Sequence, residues 1–463
     1  MILKLAKNKS SLFAIGLIFL STLLINFSHH RWQQKDKIIE WDIKSYYAYL
    51  PATFIYQDLS LDFIHDESGK FKDLIWPIET PLKKKAIITT MGMSILYAPF
   101  FGLAHIYATS SSDYEADGYS MPYRFALVFS ALFYVLIGLL FLRKTLKHFF
   151  NEGVTSLALL AVGLGTNLFY YTTYEAAMPH AFNFSLISVF VYYTLLFYQN
   201  PSYGKIGLLG FLAGLITLIR PTNILVLIFF FLWNVFSLSS FKSRLTWFLH
   251  QYKLILIMVI AFILVWIPQF TYWYWVSGKI FYFTYGEAGG KFFFLNPQIK
   301  NILISYKKGW FIYTPIMFIA SIGIFSLPKI KKGLFAPVLI FIILNIYVLS
   351  SWWCWWFGGS FGLRAFIDCY AIMAIPLGAF LHYAFSNKWL KYTLPTTVIL
   401  LIGFNNFQIQ QYKNSAIHYW WMNEEAYWET FLKLRPTARY WEVITLPDYD
   451  KAREGVYVEI KPE

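Results

Sequence analysis

Asp42 stands in the stretch IIEWDIKSYYAYLPATF, beside Glu40 and Trp41 and ahead of Tyr46, Tyr47 and Tyr49. The first apolar run of the chain precedes it, which sets the acid at a membrane surface. A carboxylate partly withdrawn from water there can take a proton from an incoming hydroxyl. Further groups sit at the ends of later apolar runs: Lys85 in PLKKKAIITTMGMSILYAPFF, Glu175 and His180 in YYTTYEAAMPHAFNF, Arg220 in GLITLIRPTN, and Arg364 closing WFGGSFGLR. Cations of this kind can hold a phosphate and stabilise it as a leaving group. An arginine at the edge of two apolar helices, as at Arg220, is costly without an anionic partner. Backbone at Gly358, Gly359 and Gly362 can approach a ligand closely because glycine leaves room. Ordinary roles remain open to each: a solvated loop acid for Asp42, helix-junction hydrogen bonds for Glu175 and His180, and headgroup binding for Lys83, Lys84 and Lys85.

The elements that must position these groups are membrane helices. Of 463 residues, 57% are hydrophobic and only 14% charged, too few charges for a soluble protein of this length. Apolar runs long enough to cross a bilayer recur at 11–28, 86–108, 122–142, 153–172, 180–198, 205–219, 222–238, 254–275, 310–327, 334–351, 366–385 and 393–408. The basic start (Lys4, Lys7, Lys9) lacks a small-residue cleavage site after the first run, so that run reads as an uncleaved anchor.

Orientation follows the basic loops. These are the N-terminus, 143–147, Lys205, 242–253, 329–332 and 388–391. All six fall on one side, the cytoplasmic one, only if one run does not cross. Run 86–108 is the poorest span, holding Thr89, Thr90, Gly92, Ser94, Pro99 and His105, and is expected to lie in the outer interface. Eleven crossings result, with a cytoplasmic N-terminus in a bacterial inner membrane and the six polar groups on the periplasmic face. The +14 formal charge is then a topology signal, and it calls for no nucleic-acid partner. The two cysteines, Cys354 and Cys369, match no metal or redox spacing and read as unpaired core residues.

Residues 1–408 read as one transmembrane domain in which 29–121 is the first outer loop, with an interfacial helix at 86–108. Shorter outer loops follow at 276–309 and 352–365. The tail, 409–463, reads as outer-face α+β structure packed on those loops, with an aromatic helix in HYWWMNEEAYWETFLK and strands in RYWEVITL and GVYVEI. The short cytoplasmic loops carry no phosphate-binding glycine motif, against an ATP-driven transporter or a soluble nucleotide-sugar donor. Aromatic residues make up 21% of the chain, and those at helix ends form interfacial belts.

The order of these segments resembles the GT-C glycosyltransferases of bacterial membranes, polyprenyl-phosphate-sugar-dependent enzymes that include protein mannosyltransferases and lipid A aminoarabinose transferases. The resemblance rests on Asp42 with Tyr46, Tyr47, Tyr49, Leu50 and Pro51, on KKKAIITTMGMSILYAPFF, on Glu175 with Met178, Pro179 and His180, on AGLITLIRPTN, and on SWWCWWFGGSFGLRAFIDCYAIMAIPL. It implies an all-α polytopic bundle of about 11 transmembrane helices. It also implies transfer of a hexose or pentose from a polyprenyl-phosphate carrier to a lipid, glycan or protein acceptor. Asp42 would be the general base and Glu175 the second acid, with Lys85, Arg220 and Arg364 on the donor phosphate. Tyr46, Tyr47, His180, Trp356, Gly358 and Gly359 would line the substrate cavity. The sequence has Glu175 where an Asp is usual and no DxD pair. A divalent metal would require Asp42, Glu175 and His180 to converge. The competing readings are a surface-polysaccharide polymerase or ligase, and a polytopic lipid or glycan transporter. A transporter would be expected to carry mid-helix ionisable groups and duplicated halves.

Overall fold

The computed structural model describes residues 9–65, 69, 71 and 73–462; Lys4 and Lys7 lie outside them. The apolar runs fold as helices because, within a bilayer, a segment must satisfy its own backbone N–H and C=O groups. The first half contains α1 (Ser10–His29), α2 (Asp42–Phe54), α3 (Gly92–Ser110), α4 (Met121–Phe149), α5 (Glu152–Leu164), α6 (Pro179–Gln199) and α7 (Tyr203–Ile219). The second contains α8 (Val226–Phe231), α9 (Leu238–His250), α10 (Tyr252–Ser277), α11 (Ile316–Gly323), α12 (Phe335–Ser350), α13 (Tyr370–Phe385) and α14 (Leu390–Lys413). Among the described residues, six helical stretches are long and apolar enough to cross a membrane: Ser10–Gln33, Met121–Phe149, Pro179–Gln199, Tyr252–Ser277, Lys332–Ser350 and Arg364–Phe385. Shorter apolar stretches, Glu152–Leu164, Tyr203–Ile219, Pro221–Phe231 and Ile316–Ile330, accompany them. The chain is an all-α polytopic membrane protein.

α4 packs along α6, α7 along α10, α1 on α5, and α11 on α13. The α7–α10 pair is close because α7 presents glycine to the partner backbone. A Cβ at Gly210 would lie 2.2 Å from the Met258 carbonyl oxygen, and one at Gly214 would lie 3.0 Å from that of Phe262. Small residues give membrane helices this approach, where no hydrophobic drive between helices is available.

The two ends of the bundle differ in charge. At one end Glu152 binds Arg143 at 3.1 Å and Lys147 at 2.5 Å, and accepts from the Ser11 backbone N–H at the start of α1. Phe150 meets His382 of α13 there, and His148, Arg244 and Lys331 line a common cavity. Arg143, Lys147, Arg244 and Lys331, from three of the basic stretches, therefore lie at one end. Asp42, Glu175, His180, Arg220 and Arg364 lie at the other.

The segment before α3 departs from expectation. Helix was expected from residue 86; it begins at Gly92. Side chains, in place of a helical ladder, satisfy the preceding backbone. Tyr49 donates to the Thr89 carbonyl (2.8 Å), the Tyr272 hydroxyl accepts from the Ile87 N–H (3.0 Å), and Gln269 Oε1 accepts from the Met91 N–H (2.8 Å). α3 then runs beside only part of α4: Tyr134 donates to the Leu96 carbonyl at 3.4 Å, and His105 Nδ1 meets the Tyr123 hydroxyl at 2.6 Å.

In the tail, HYWW is irregular and the helix is confined to Glu424–Glu429. RYWEV was expected as strand and forms the helix Ala438–Val443, whose Thr437 cap accepts from the Tyr440 N–H. Cap chemistry outweighed the β-propensity of the aromatic and branched residues. Among the described residues of the tail, strand pairing is limited to Leu446–Pro447 with Glu459–Ile460. The tail packs on neighbouring loops: the Tyr449 hydroxyl accepts from Trp356 Nε1 at 3.0 Å, and Glu459 binds Lys307 at 2.9 Å. Cys354 and Cys369 are free and buried.

Candidate active site

Each site residue is set by a local feature of its own segment. Asp42 is the first residue of α2, where the helix dipole favours a carboxylate. Pro221 holds Arg220 in extended backbone (φ −146°, ψ 107°), which ends α7 and turns its side chain off the helix. Gly92 fits against that helix end: a Cβ there would lie 2.5 Å from the Ile219 nitrogen. Pro179 opens α6 at its first position, which places His180 in the first turn. Arg364 and Asp368 share one short 3-10 segment, Arg364–Cys369.

That segment joins two ion pairs of opposite sense. Arg364 Nη2 donates to Asp42 Oδ2 at 2.8 Å; the aspartate side chain is 46% exposed and the arginine only 14%. Among the described residues, Oδ1 of Asp42 has no hydrogen-bond partner. On the other side Asp368, 1% exposed, accepts from Arg220 Nη1 at 3.0 Å and from Asn223 Nδ2 at 2.7 Å, with His180 Nδ1 at 3.4 Å. The buried network thus holds Arg220, and the half-open pair presents a carboxylate.

Tyr46, one turn along α2 from Asp42, hydrogen-bonds Tyr285. Burial, reinforced by the Asp42 charge, pushes its phenol up to about 12, so it remains a neutral donor. Glu175 is partly buried and accepts from the Tyr170 hydroxyl at 3.0 Å. Burial raises its carboxyl above the usual range, against the opposing pull of Arg364 and the Tyr170 bond. Arg364 therefore feels Asp42 and Glu175 together.

The glycine loop closes over Arg364. Phe357, Gly358 and Gly362 have φ of 56°, 67° and 59°, and two of these three left-handed positions are glycine. A Cβ at Gly358 would sit 4.0 Å from Arg364 Nη2. Phe357 lies 5.8 Å from the Arg220 guanidinium, so this loop touches both arginines. Buried Lys308 holds it from beneath, donating to the Ser360 carbonyl and, at 2.8 Å, to that of Tyr419. Burial, then Lys307 and Arg364, lowers the Lys308 ammonium well below the usual lysine range. Tyr171 accepts from the Phe361 N–H at 3.2 Å.

Asp42, Arg364, Arg220, Tyr46 and Gly358 thus come together, Glu175 reaches Arg364 only through its charge, and His180 lies behind Arg220. Other sequence candidates sit elsewhere. Lys85 is on an antiparallel ribbon (Ile78–Glu79 with Lys85–Ala86) and pairs with Asp62 at 3.4 Å. Tyr47 is fully buried and bonds the Gly118 carbonyl. Trp356, 1% exposed, is spent on Tyr449, and Gly359 packs on the Tyr419 ring. The metal set Asp42, Glu175 and His180 does not gather, because each is directed at a different partner: Arg364, Tyr170 and Asp368. Among the described residues no group of three or more His, Cys, Asp or Glu side chains is arranged to hold a metal ion. Sequence reading missed Asp368, Asn223, Tyr285 and Lys308. Asp368 had a signal, being an acid at the start of an apolar run.

No family model matches the chain, and no curated protein matches it. Among solved structures it is similar to the archaeal oligosaccharyltransferase AglB from Archaeoglobus fulgidus, in complex with an inhibitory peptide and a dolichol-phosphate. The match has a TM-score of 0.50 at 12% identity and covers 94% of this chain. The chain spans 61% of the length of that protein. The likeness is one of fold.

Proposed function

We propose that the protein is an integral-membrane glycosyltransferase. It moves one sugar from a polyprenyl-phosphate carrier to a lipid, glycan or protein acceptor on the outer face of a bacterial inner membrane. Residues 1–408 form the catalytic domain, and 409–463 a tail that buttresses the loop above Arg364. The observation that carries this reading is the Asp42–Arg364 pair: a half-exposed carboxylate beside a guanidinium, with Arg220 close by. The acceptor hydroxyl adds to the anomeric carbon and gives its proton to Asp42 as the new C–O bond forms. The bond from that carbon to the carrier phosphate breaks, and the phosphate leaves with the electron pair. Arg364 and Arg220, each 14% exposed, face the charge that develops there. The oligosaccharyltransferase that shares the fold was solved with a dolichol-phosphate, which favours a lipid-phosphate carrier here. A transporter would place its ionisable groups at mid-helix; the pairs above sit at one end of the bundle.

The test uses purified protein in nanodiscs supplied with polyprenyl-phosphate sugars and acceptors extracted from source membranes. Free polyprenyl phosphate should accumulate in step with a glycosylated acceptor. Donor that stays intact, or that changes leaflet without losing its sugar, would overturn the reading.

A further inference from the structure

A cavity of about 490 Å³ opens at the end of the bundle away from Asp42. Gln199, the last residue of α6, lines it, while His180 near the start of that helix joins the Asp368 network. A 21-residue helix separates the two sites by about 30 Å. His148, Arg244 and Lys331 bring three basic side chains to the wall, and among the described residues no Asp or Glu lines it. Glu152, near the same end, is taken by Arg143, Lys147 and Ser11.

Two of the cations are fixed around Trp233. Arg244 Nη2 donates to the Trp233 carbonyl at 2.6 Å, and its guanidinium lies 4.1 Å from the Tyr198 ring centre. Lys331 Nζ stands 5.1 Å from the Trp233 ring centre. The turn carrying Lys331 is held in place, since the Asn234 N–H donates to the Gly333 carbonyl at 3.1 Å. Burial lowers the Lys331 ammonium below the usual lysine range, a cost that an anion in the cavity would offset.

The helix that supplies Arg244 shows which anion is at hand. α9 has no buried residue, and Leu238, Phe241, Leu245 and Leu249, 44–70% exposed, fall on one face. A helix of this kind lies in the membrane interface, with its apolar face among acyl chains and its basic residues at headgroup level. We infer that the cavity binds a phosphate ester, supplied by the adjoining leaflet as the headgroup of an anionic lipid. Arg244 and Lys331 contact the phosphate, and Trp233 and Trp247 flank the glycerol end of the lipid. The site is independent of the chemistry at Asp42.

The protein is reconstituted in mixed phosphatidylglycerol–phosphatidylcholine nanodiscs, stripped by detergent, and examined by native mass spectrometry for retained phosphatidylglycerol. Wild type should retain it preferentially. Lys331→Gln, which breaks no hydrogen bond, should lower retention at least about fivefold, as should Arg244→Gln. Lys391→Gln, on the same end but outside the cavity, should leave it unchanged. Equal retention in wild type and Lys331→Gln would overturn the inference. A second arm adds glycerol 3-phosphate: failure to displace the lipid supports the leaflet as source. Displacement at micromolar concentration would overturn the lipid assignment in favour of a free phosphate ester.

Discussion

Asp42→Asn is expected to slow sugar transfer by about 10²–10⁴-fold, the usual contribution of a positioned general base, while the protein stays folded and inserted. The amide keeps the shape of the side chain and an oxygen for Arg364, but it can no longer take a proton. Because Asp42 is 46% exposed, its ion pair is largely solvent-screened and contributes at most about 1 kcal/mol to stability. Rate and stability should therefore separate. Thermal unfolding in detergent should shift by only a few degrees while turnover falls to background. Turnover within about threefold of wild type would remove Asp42 as the base.

Asp368→Ala should act in the opposite proportion. This carboxylate is almost fully buried and is the shared acceptor for Arg220, Asn223 and His180. Removing it leaves a partly buried guanidinium and a buried amide unpaired, which costs about 3–5 kcal/mol when a buried pair loses one partner. The midpoint of thermal unfolding should fall markedly. In Asp368→Asn the shape is kept and the protein should survive, but Arg220 is released from its fixed orientation. Weaker donor binding should follow, and little further loss when Arg220→Ala is added, because both changes remove one interaction. Additive losses would mean that Asp368 does not act through Arg220.

Much of this site was legible in the sequence, and the reason is local. The sequence set Arg220 at the edge of two apolar helices and His180 at a helix junction, and both lie at helix ends. The glycines of WFGGSFGLR marked a loop with room for close approach, and Gly358 does sit against Arg364. Charge parity separated the two ends of the bundle because short basic loops are constrained by topology, whatever their tertiary contacts. The rest depends on partners far apart in the chain. Nothing local pairs Arg364 with Asp42, 322 residues away, or Asp368 with Arg220, 148 away. The KKKAIITTMGM segment illustrates the limit. Its lysines suggested phosphate contacts, yet Lys85 pairs with Asp62, and Thr90 and Gly92 serve to seat the end of α7 beneath Arg220. Tyr47 reads like Tyr46 in sequence, but one position along a helix turns it about 100° away, into the core.

The most direct measurement of the central claim is a structure of the protein with polyprenyl phosphate bound. The phosphate should lie between the Arg220 and Arg364 guanidinium groups, within hydrogen-bonding reach of at least one of them, with the exposed side of the Asp42 carboxylate facing the position the anomeric carbon would occupy. A phosphate bound only at Lys85, or only at the Arg244–Lys331 end of the bundle, would contradict the account.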